Sequence, residues 1–408
     1  MNCNRTRREF LRWGAGTLLA SRLAPLLGQE SGARRAKNCI LLWMAGGPSH
    51  IDTWDPKKDN GSFKPIETTI RGASISEHLP RIAGEARRLT IVRSMTSKEG
   101  DHERATYLLH TGNAPQETSI FPTLGSIAAK EWPAPNNLPP FVSVGEVSFN
   151  DPGFLGLEHA PFIAQPDDPD QALAWPEALA PRFKRRRSLL DRMSREFGRR
   201  TDPEVVLEEE RVQERALGMM SEKTVKAFNL REEAERVRAA YGHNYFGRGC
   251  LLARRLVESG VRFVEVLLDD WDTHVEGFKE VKRLSGYLDP GMSSLVRELA
   301  QRRLLDETLV LWMGEFGRSS EVNATNGRDH QSSAFSLVLA GGGVAEGRVI
   351  GKTDKTGREV VERPVTVPDL FASLFHAFGF DPKKEYMTPE RRPVKLIDNG
   401  SVVKELFA

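Results

Sequence analysis

Thr308-Leu-Val-Leu-Trp-Met-Gly-Glu315-Phe-Gly-Arg318, a polar loop, then Gly327-Arg-Asp329-His330-Gln-Ser-Ser-Ala-Phe335-Ser-Leu-Val-Leu-Ala340-Gly-Gly-Gly343 is the stretch whose reading decides the fold. Leu309–Met313 and Phe335–Ala340 are near-continuous apolar runs of strand length, which predicts two buried parallel strands. The first runs directly into Glu315 and Arg318, so a carboxylate and a guanidinium fall at the carboxyl edge of a sheet. Open α/β sheets bind their ligands at that edge. The second is preceded by Asp329-His330, whose oxygen and nitrogen atoms suit a divalent cation. Either group alone would read as a surface ion pair or a turn cap. Two of them framing neighbouring strands, with glycines that let backbone approach closely, point to a site.

The 408-residue chain is long enough for one large core with insertions, or for two domains. Its 39% hydrophobic and 28% charged residues are those of an ordinary globular protein. A net charge of +2 gives no footprint for nucleic acid or an anionic membrane. The basic run Lys184-Arg-Arg-Arg187 is followed by Glu208-Glu-Glu210, the pattern of a solvated helical face. Cys39 and Cys250 stand apart in apolar contexts and allow either one disulfide or two buried thiols.

Strand-like runs alternate with helical periodicity along the rest of the chain. Cys39–Met44 leads into Ala45-Gly-Gly-Pro-Ser49-His-Ile-Asp52-Thr-Trp-Asp55, which crowds polar groups after a strand. A helix is expected at about Ser76–Arg88, a strand at Leu89–Arg93, and a helix over residues 102–110 capped by Asp101. That cap places His102 in the first turn, aimed at the strand edge, and leaves His110 structural near the helix end. A helix near Thr123–Trp132 precedes the strand Phe141–Gly145. From about 151 to 229 Pro-rich loops and charged helices (Pro181 to Ala216) read as an insertion that packs on the sheet edge or covers the site. A helix from Tyr245 to Glu258 stops at Gly260. The strand Arg262–Leu268 runs into Asp272-Thr-His274, a spacing suited to metal ligation. Helices follow at Gly291–Arg303 and Thr366–Gly379, the second placing His376 in the core.

The N-terminal Thr6-Arg7-Arg8-Glu-Phe10-Leu11-Arg12 and the weakly apolar Trp13–Ala20 resemble a twin-arginine export signal, so residues 1–30 stand outside the fold. No later stretch approaches eighteen uninterrupted apolar residues, and no membrane span is expected in the mature protein. Cys39–Pro56, Trp271-Asp-Thr-His274, Gly314-Glu-Phe-Gly-Arg318, Gly327-Arg-Asp-His330 and Ala340-Gly-Gly-Gly343 together resemble the exported family called domain of unknown function 1501. That family is similar in turn to the alkaline phosphatase and sulfatase superfamily. The resemblance implies a doubly wound, mostly parallel α/β sheet flanked by helices, spanning about residues 37–400 with the insertion inside it. It also implies export to the periplasm by the twin-arginine machinery, and metal-dependent hydrolysis of phosphate or sulfate esters on a small molecule or polysaccharide.

Leu108-Leu-His-Thr111-Gly112 resembles the sulfatase stretch that follows the nucleophile, which puts His102 where sulfatases carry a modified cysteine. Leu309–Gly317 resembles the strand ending in a metal-binding Asp-His, here Glu315-Phe316. Gly46-Gly47 replace the aspartate expected after the first strand, which leaves Asp52 as the nearest substitute. The resulting expectation is one or two divalent ions (Zn, Mn, Ca or Mg) on Asp52, Asp272, His274, Asp329 and His330. His102, Glu315 and Arg318 would be catalytic, Arg318 gripping the substrate anion and His102 having a depressed pKa beside a cation at a helix N-terminus. The rival reading is a binding protein that keeps the fold without catalysis.

Overall fold

The computed structural model describes residues 36–407, apart from 59–62, 117–118, 133–137, 146–148, 167–179, 201–205, 207–221 and 398. The segment expected to be an export signal lies outside the described residues. The central sheet uses, in chain order, β1 (Asn38–Met44), β2 (Leu89–Thr96), β3 (Phe141–Val144), β4 (Phe162–Ala164), β5 (Phe263–Leu268), β6 (Thr308–Met313), β7 (Phe335–Ala340), β8 (Arg348–Ile350) and β9 (Val365–Thr366). Their spatial order is β8-β2-β7-β6-β1-β5-β3-β4, with β9 beside β2. The chain starts in the middle and winds both ways, as the doubly wound expectation required.

Alternation along β1 explains why both faces are covered. Ile40, Leu42 and Met44 join one apolar cluster, with residues from the helices Tyr245–Ser259 and Gly277–Gln301. Cys39, Leu41 and Trp43 join another, with residues from the helices Leu124–Glu131 and Val367–Phe378. Every residue of β1 and β6 is buried, which is why these strands read as continuous apolar runs. Cys39 and Cys250 are buried free thiols in these clusters.

One strand corrects the sequence reading. β7 runs antiparallel to both of its neighbours, β6 and β2, whereas the other pairings in the sheet are parallel. A parallel return to β6 would need a crossover of a dozen or more residues to carry the chain back across the sheet. Here the chain leaves β6, stays at the same edge and pairs Gly317–Arg318 with His330–Gln331 in a short antiparallel ribbon. It then descends as β7. A buried apolar run carries no record of direction, so sequence pattern could not distinguish the two. The reversal matters because it keeps His330 at the edge where Glu315 and Arg318 emerge.

The helix boundaries follow local chemistry. His102–Thr111 is capped by Asp101, whose side chain accepts from the Arg104 amide, and it ends at Gly112 in the left-handed region. Val367–Phe378 begins with a reciprocal Thr366/Asp369 capping box and ends at left-handed Gly379. The expected helix at Gly291 begins earlier, so that Gly277–Gln301 is continuous through Pro290. The one at Ser76–Arg88 is shorter, Pro80–Glu85 with a 3-10 turn, because Ser74–Ser76 pairs as a strand. His376 is exposed against the Phe407 ring, since it occupies the outward stripe of its helix; the expected core position is thereby corrected. His110 is buried, as expected of a structural residue. Within 151–229, Phe162–Ala164 is the edge strand and Ala180–Gly198 is a largely exposed helix. Among the described residues no helix is long and apolar enough to cross a membrane.

Candidate metal centre

Four carboxyl edges converge. The His102 helix follows β2, the Asp272 loop follows β5, the Glu315 turn follows β6, and Gly46-Gly47 follow β1. Both glycines have positive φ, +106° and +74°. A Cβ on Gly46 would lie 2.2 Å from the Asp272 amide nitrogen, and one on Gly47 would lie 2.6 Å from the Phe316 ring. These two glycines therefore let two neighbouring loops close over the edge.

Three imidazoles meet there, each oriented by an acceptor at its Nδ1. His102 Nδ1 lies 2.8 Å from Glu315 Oε1. His330 Nδ1 lies 2.8 Å from the Gly100 carbonyl. His274 Nδ1 lies 3.1 Å from Asp329 Oδ1. A carbonyl or carboxylate oxygen only accepts, so each Nδ1 carries the proton and each Nε2 is left with its lone pair when the ring is neutral. The Nε2 atoms gather around Asp272 Oδ1, at 3.2 Å for His274, 3.4 Å for His102 and 3.5 Å for His330. The His274 and His330 Nε2 atoms are 2.9 Å apart. His102 Nε2 is buried with no hydrogen-bond partner, and so is Glu315 Oε2.

Lone pairs pressed together in this way fit a cation. Ligand atoms about 2.0–2.1 Å from a tetrahedral zinc lie about 3.3 Å from one another. Here the ligand atoms of His102, Asp272 and His330 all lie within 4.8 Å of one another, and His274 Nε2 adjoins those of Asp272 and His330. The outer partners are those that metal-bound histidines commonly use. The donor set of His102, Asp272, His274 and His330 thus suits a divalent ion.

The electrostatics follow from these contacts. The hydrogen bond that His102 donates to Glu315 raises its pKa above the ordinary value; burial opposes this, and the charges of Glu315 and Asp272 reinforce it. Without a cation the contact with Glu315 outweighs both burial and Arg318; the expected depression is for an imidazole beside a bound ion. Burial pushes the Asp272 carboxyl up, but the hydrogen bond and charge of Arg318 hold it below the usual carboxylate range. Hydrogen bonds from Asn323 and His274 lower Asp329. Burial lowers His330.

Arg318 is fully buried and its donors are committed. Nε donates to the Gly47 carbonyl at 2.9 Å and one terminal nitrogen to the Arg328 carbonyl at 3.1 Å. The other terminal nitrogen bonds Asp272 Oδ1 at 2.6 Å, the Gly46 carbonyl, and Trp271 O at 3.4 Å. It therefore holds the Asp272 loop and does not face a substrate, contrary to the role expected from sequence. Asp52 is not brought to the cluster. Its carboxylate accepts from Ser49 Oγ at 2.6 Å and from Arg328 Nε at 2.8 Å, and Arg328 in turn supports Arg318. Arg328, Asn323, the Gly46 amide (2.8 Å to Glu315 Oε1) and the Gly100 carbonyl were not singled out from the sequence. Arg328 and Gly46 lie in quoted motifs, whereas Asn323 and Gly100 carry no local signal. Phe316 fills the place of a further imidazole, its ring centroid 4.5 Å from that of His330 and 5.0 Å from that of His102.

Fold and site together define a mixed α/β protein with three imidazoles and one carboxylate at the ligand edge of a mostly parallel sheet. Residues 36–407 match the family described as protein of unknown function (DUF1501), and the chain belongs to it. No curated protein matches the chain. Among solved structures it is similar to Ps i-CgsB in complex with k-i-k-neocarrahexaose, at 12% identity over 85% of this chain and 73% of that one, TM-score 0.43. The PsFucS1 sulfatase from Pseudoalteromonas sp. gives 13% identity over 90% and 71%, TM-score 0.37. The alkaline phosphatase of the Antarctic bacterium TAB5 gives 12% identity over 85% and 99%, TM-score 0.37. The likeness is one of sheet and helix layout; the chemistry rests on this chain's own side chains.

Proposed function

We propose that the protein is an exported, metal-dependent hydrolase of anionic phosphate or sulfate esters. The observation that carries this is the set of three imidazoles with Nδ1 anchored and Nε2 converging on one Asp272 oxygen. His102, Asp272, His274 and His330 would hold the ion, which supplies Lewis acidity toward an ester oxygen and an attacking water. Glu315, Gly100 and Asp329 hold the rings in the required tautomer. Arg318 fixes Asp272 and neutralises part of its charge. With His102 Nε2 committed to the ion it is not free to attack, so water is the attacking group and turnover shows no burst of covalent intermediate; a burst would instead make His102 the nucleophile.

The test combines metal content with turnover. Asp272→Ala with His330→Ala should abolish stoichiometric metal by elemental analysis while the protein stays folded, since Asp272 is half-exposed on its loop and His330 lies in a two-residue ribbon at the sheet edge. Hydrolysis of aryl phosphates or sulfates should fall with it. An unchanged metal-to-protein ratio refutes the centre. Stoichiometric metal without any turnover supports the rival reading of a binding protein. Export rests on Arg7-Arg8. Changing both to lysine should trap the precursor in the cytoplasm, and normal periplasmic levels of that variant would rule the route out.

A further inference from the structure

Two clefts adjoin the histidine cluster. His102 forms part of the wall of one, about 580 Å³, together with Tyr107, Pro115 and Phe149. His330 forms part of the wall of the other, about 630 Å³, with Gln331, Ser332, Ser333 and Arg358. The two histidine rings are 4.4 Å apart, so the proposed metal centre is the ridge between the clefts.

The linings differ. Tyr107 and Phe149 pack edge to face at 5.2 Å, and the Tyr107 hydroxyl is fixed by accepting from the Phe121 amide at 2.7 Å. That is an immobile aromatic wall suited to a flat ring. The second cleft presents hydroxyls, an amide and the largely exposed Arg358, which is 3.7 Å from Glu321.

Charge narrows the class further. Asp272, Glu315 and Asp329 contact the histidines, and among the described residues the guanidinium bonded to this group is that of Arg318; Arg104 and Arg358 stand farther out in the cleft walls, beside Glu103 and Glu359. Formal charge from these groups is +1 − 3 = −2, and a divalent cation brings it only to zero. A dianion gains little there, whereas a monoanion is tolerated.

Resting on the hydrolase reading, we infer that the substrate is a monoanionic phosphodiester with one arm in each cleft. A ring-bearing arm lies against Tyr107 and Phe149, and a polar arm runs toward Arg358. Water adds to phosphorus and the P–O bond to one arm breaks, its electron pair staying on the departing oxygen. That oxygen takes one of the water's protons, giving an alcohol and a phosphomonoester monoanion, which loses the water's other proton to solvent at neutral pH and becomes a dianion, with no further reactant. The dianionic product is then less well held than the substrate.

The test uses the metal-replete full chain with the 4-nitrophenyl ester of thymidine 5′-phosphate, 4-nitrophenyl phosphate and 4-nitrophenyl sulfate. The diester should have the highest kcat/KM, by tenfold or more. Phe149→Ala should raise KM for the diester on the order of three- to tenfold, and Arg358→Ala about two- to fivefold. Both effects should be larger for the diester than for the monoesters, which can fill only one of the two clefts. Calorimetry gives a readout independent of turnover: diphenyl phosphate should bind more tightly than phenyl phosphate. Equal or better turnover of the monoesters overturns the two-arm inference and leaves the hydrolase reading standing. So do variants that alter diester and monoester alike. Tighter binding of the diphenyl ester without turnover of any ester refutes the hydrolase and keeps the recognition; the absence of both overturns both.

Discussion

The sharpest test of the site's architecture is Arg318→Ala. A guanidinium gripping substrate would be dispensable for folding, and its loss would raise KM. The observed side chain instead ties four backbone carbonyls, those of Gly46, Gly47, Trp271 and Arg328, to the Asp272 carboxylate. Removing it strands these acceptors in a closed space, each at a cost of about 1–3 kcal/mol, although water entry and relaxation recover part of this. The stranded carbonyls set the expected loss, about 2–4 kcal/mol after that relaxation. Asp272 is half-exposed, so the charge contributes less than the stranded carbonyls. Arg318→Lys keeps the charge but lacks the planar fork, and should lose about 2 kcal/mol. Urea unfolding followed by tryptophan fluorescence measures both, since Trp271 is buried beside the contact. An Arg318→Ala protein with an unchanged unfolding midpoint and a raised KM would refute the clamp and restore the substrate role.

Two other outcomes are accessible to simple assays. Protons and the cation compete for His102, whose pKa is raised by Glu315. Metal affinity should therefore weaken as pH falls through that raised value, by about tenfold per pH unit for one displaced proton. Calorimetry in buffers of different ionisation enthalpy will show whether protons are released. The buried pair His110–Glu265, with Nε2 3.3 Å from Oε1, is outside the metal site. Burial alone would lower the His110 pKa, but the charge and hydrogen bond of Glu265 raise it above the ordinary 6.5. Its stabilisation is therefore complete below about pH 6.5 and is lost as pH rises through the raised value. Glu265→Gln should flatten that alkaline decline. His110→Ala, which leaves a buried carboxylate unpaired, should cost about 3–5 kcal/mol. A pH–stability profile unchanged by Glu265→Gln would show that the pair is not charged.

The sequence by itself determined which segments form the sheet and which residue types stand at its ligand edge. Buried strands need continuous apolar runs, and helix caps need particular residues at fixed offsets; both are local requirements written in neighbouring residues. Leu309–Met313, the Asp101 cap that places His102 at the first helical position, and the histidines of Asp272-Thr-His274 and Asp329-His330 were legible for that reason. Tertiary structure alone decided the direction of Phe335–Ala340, because direction depends on where the chain is led between strands and not on a strand's own composition. It also decided that Arg318 turns inward while Asp52 serves Arg328, since five donors and a carboxylate settle wherever acceptors from distant loops happen to close around them. The sign of the His102 pKa shift likewise came from Glu315, 213 positions away in the chain. Long-range contacts of this kind leave no periodicity, so no reading of spacing could have supplied them.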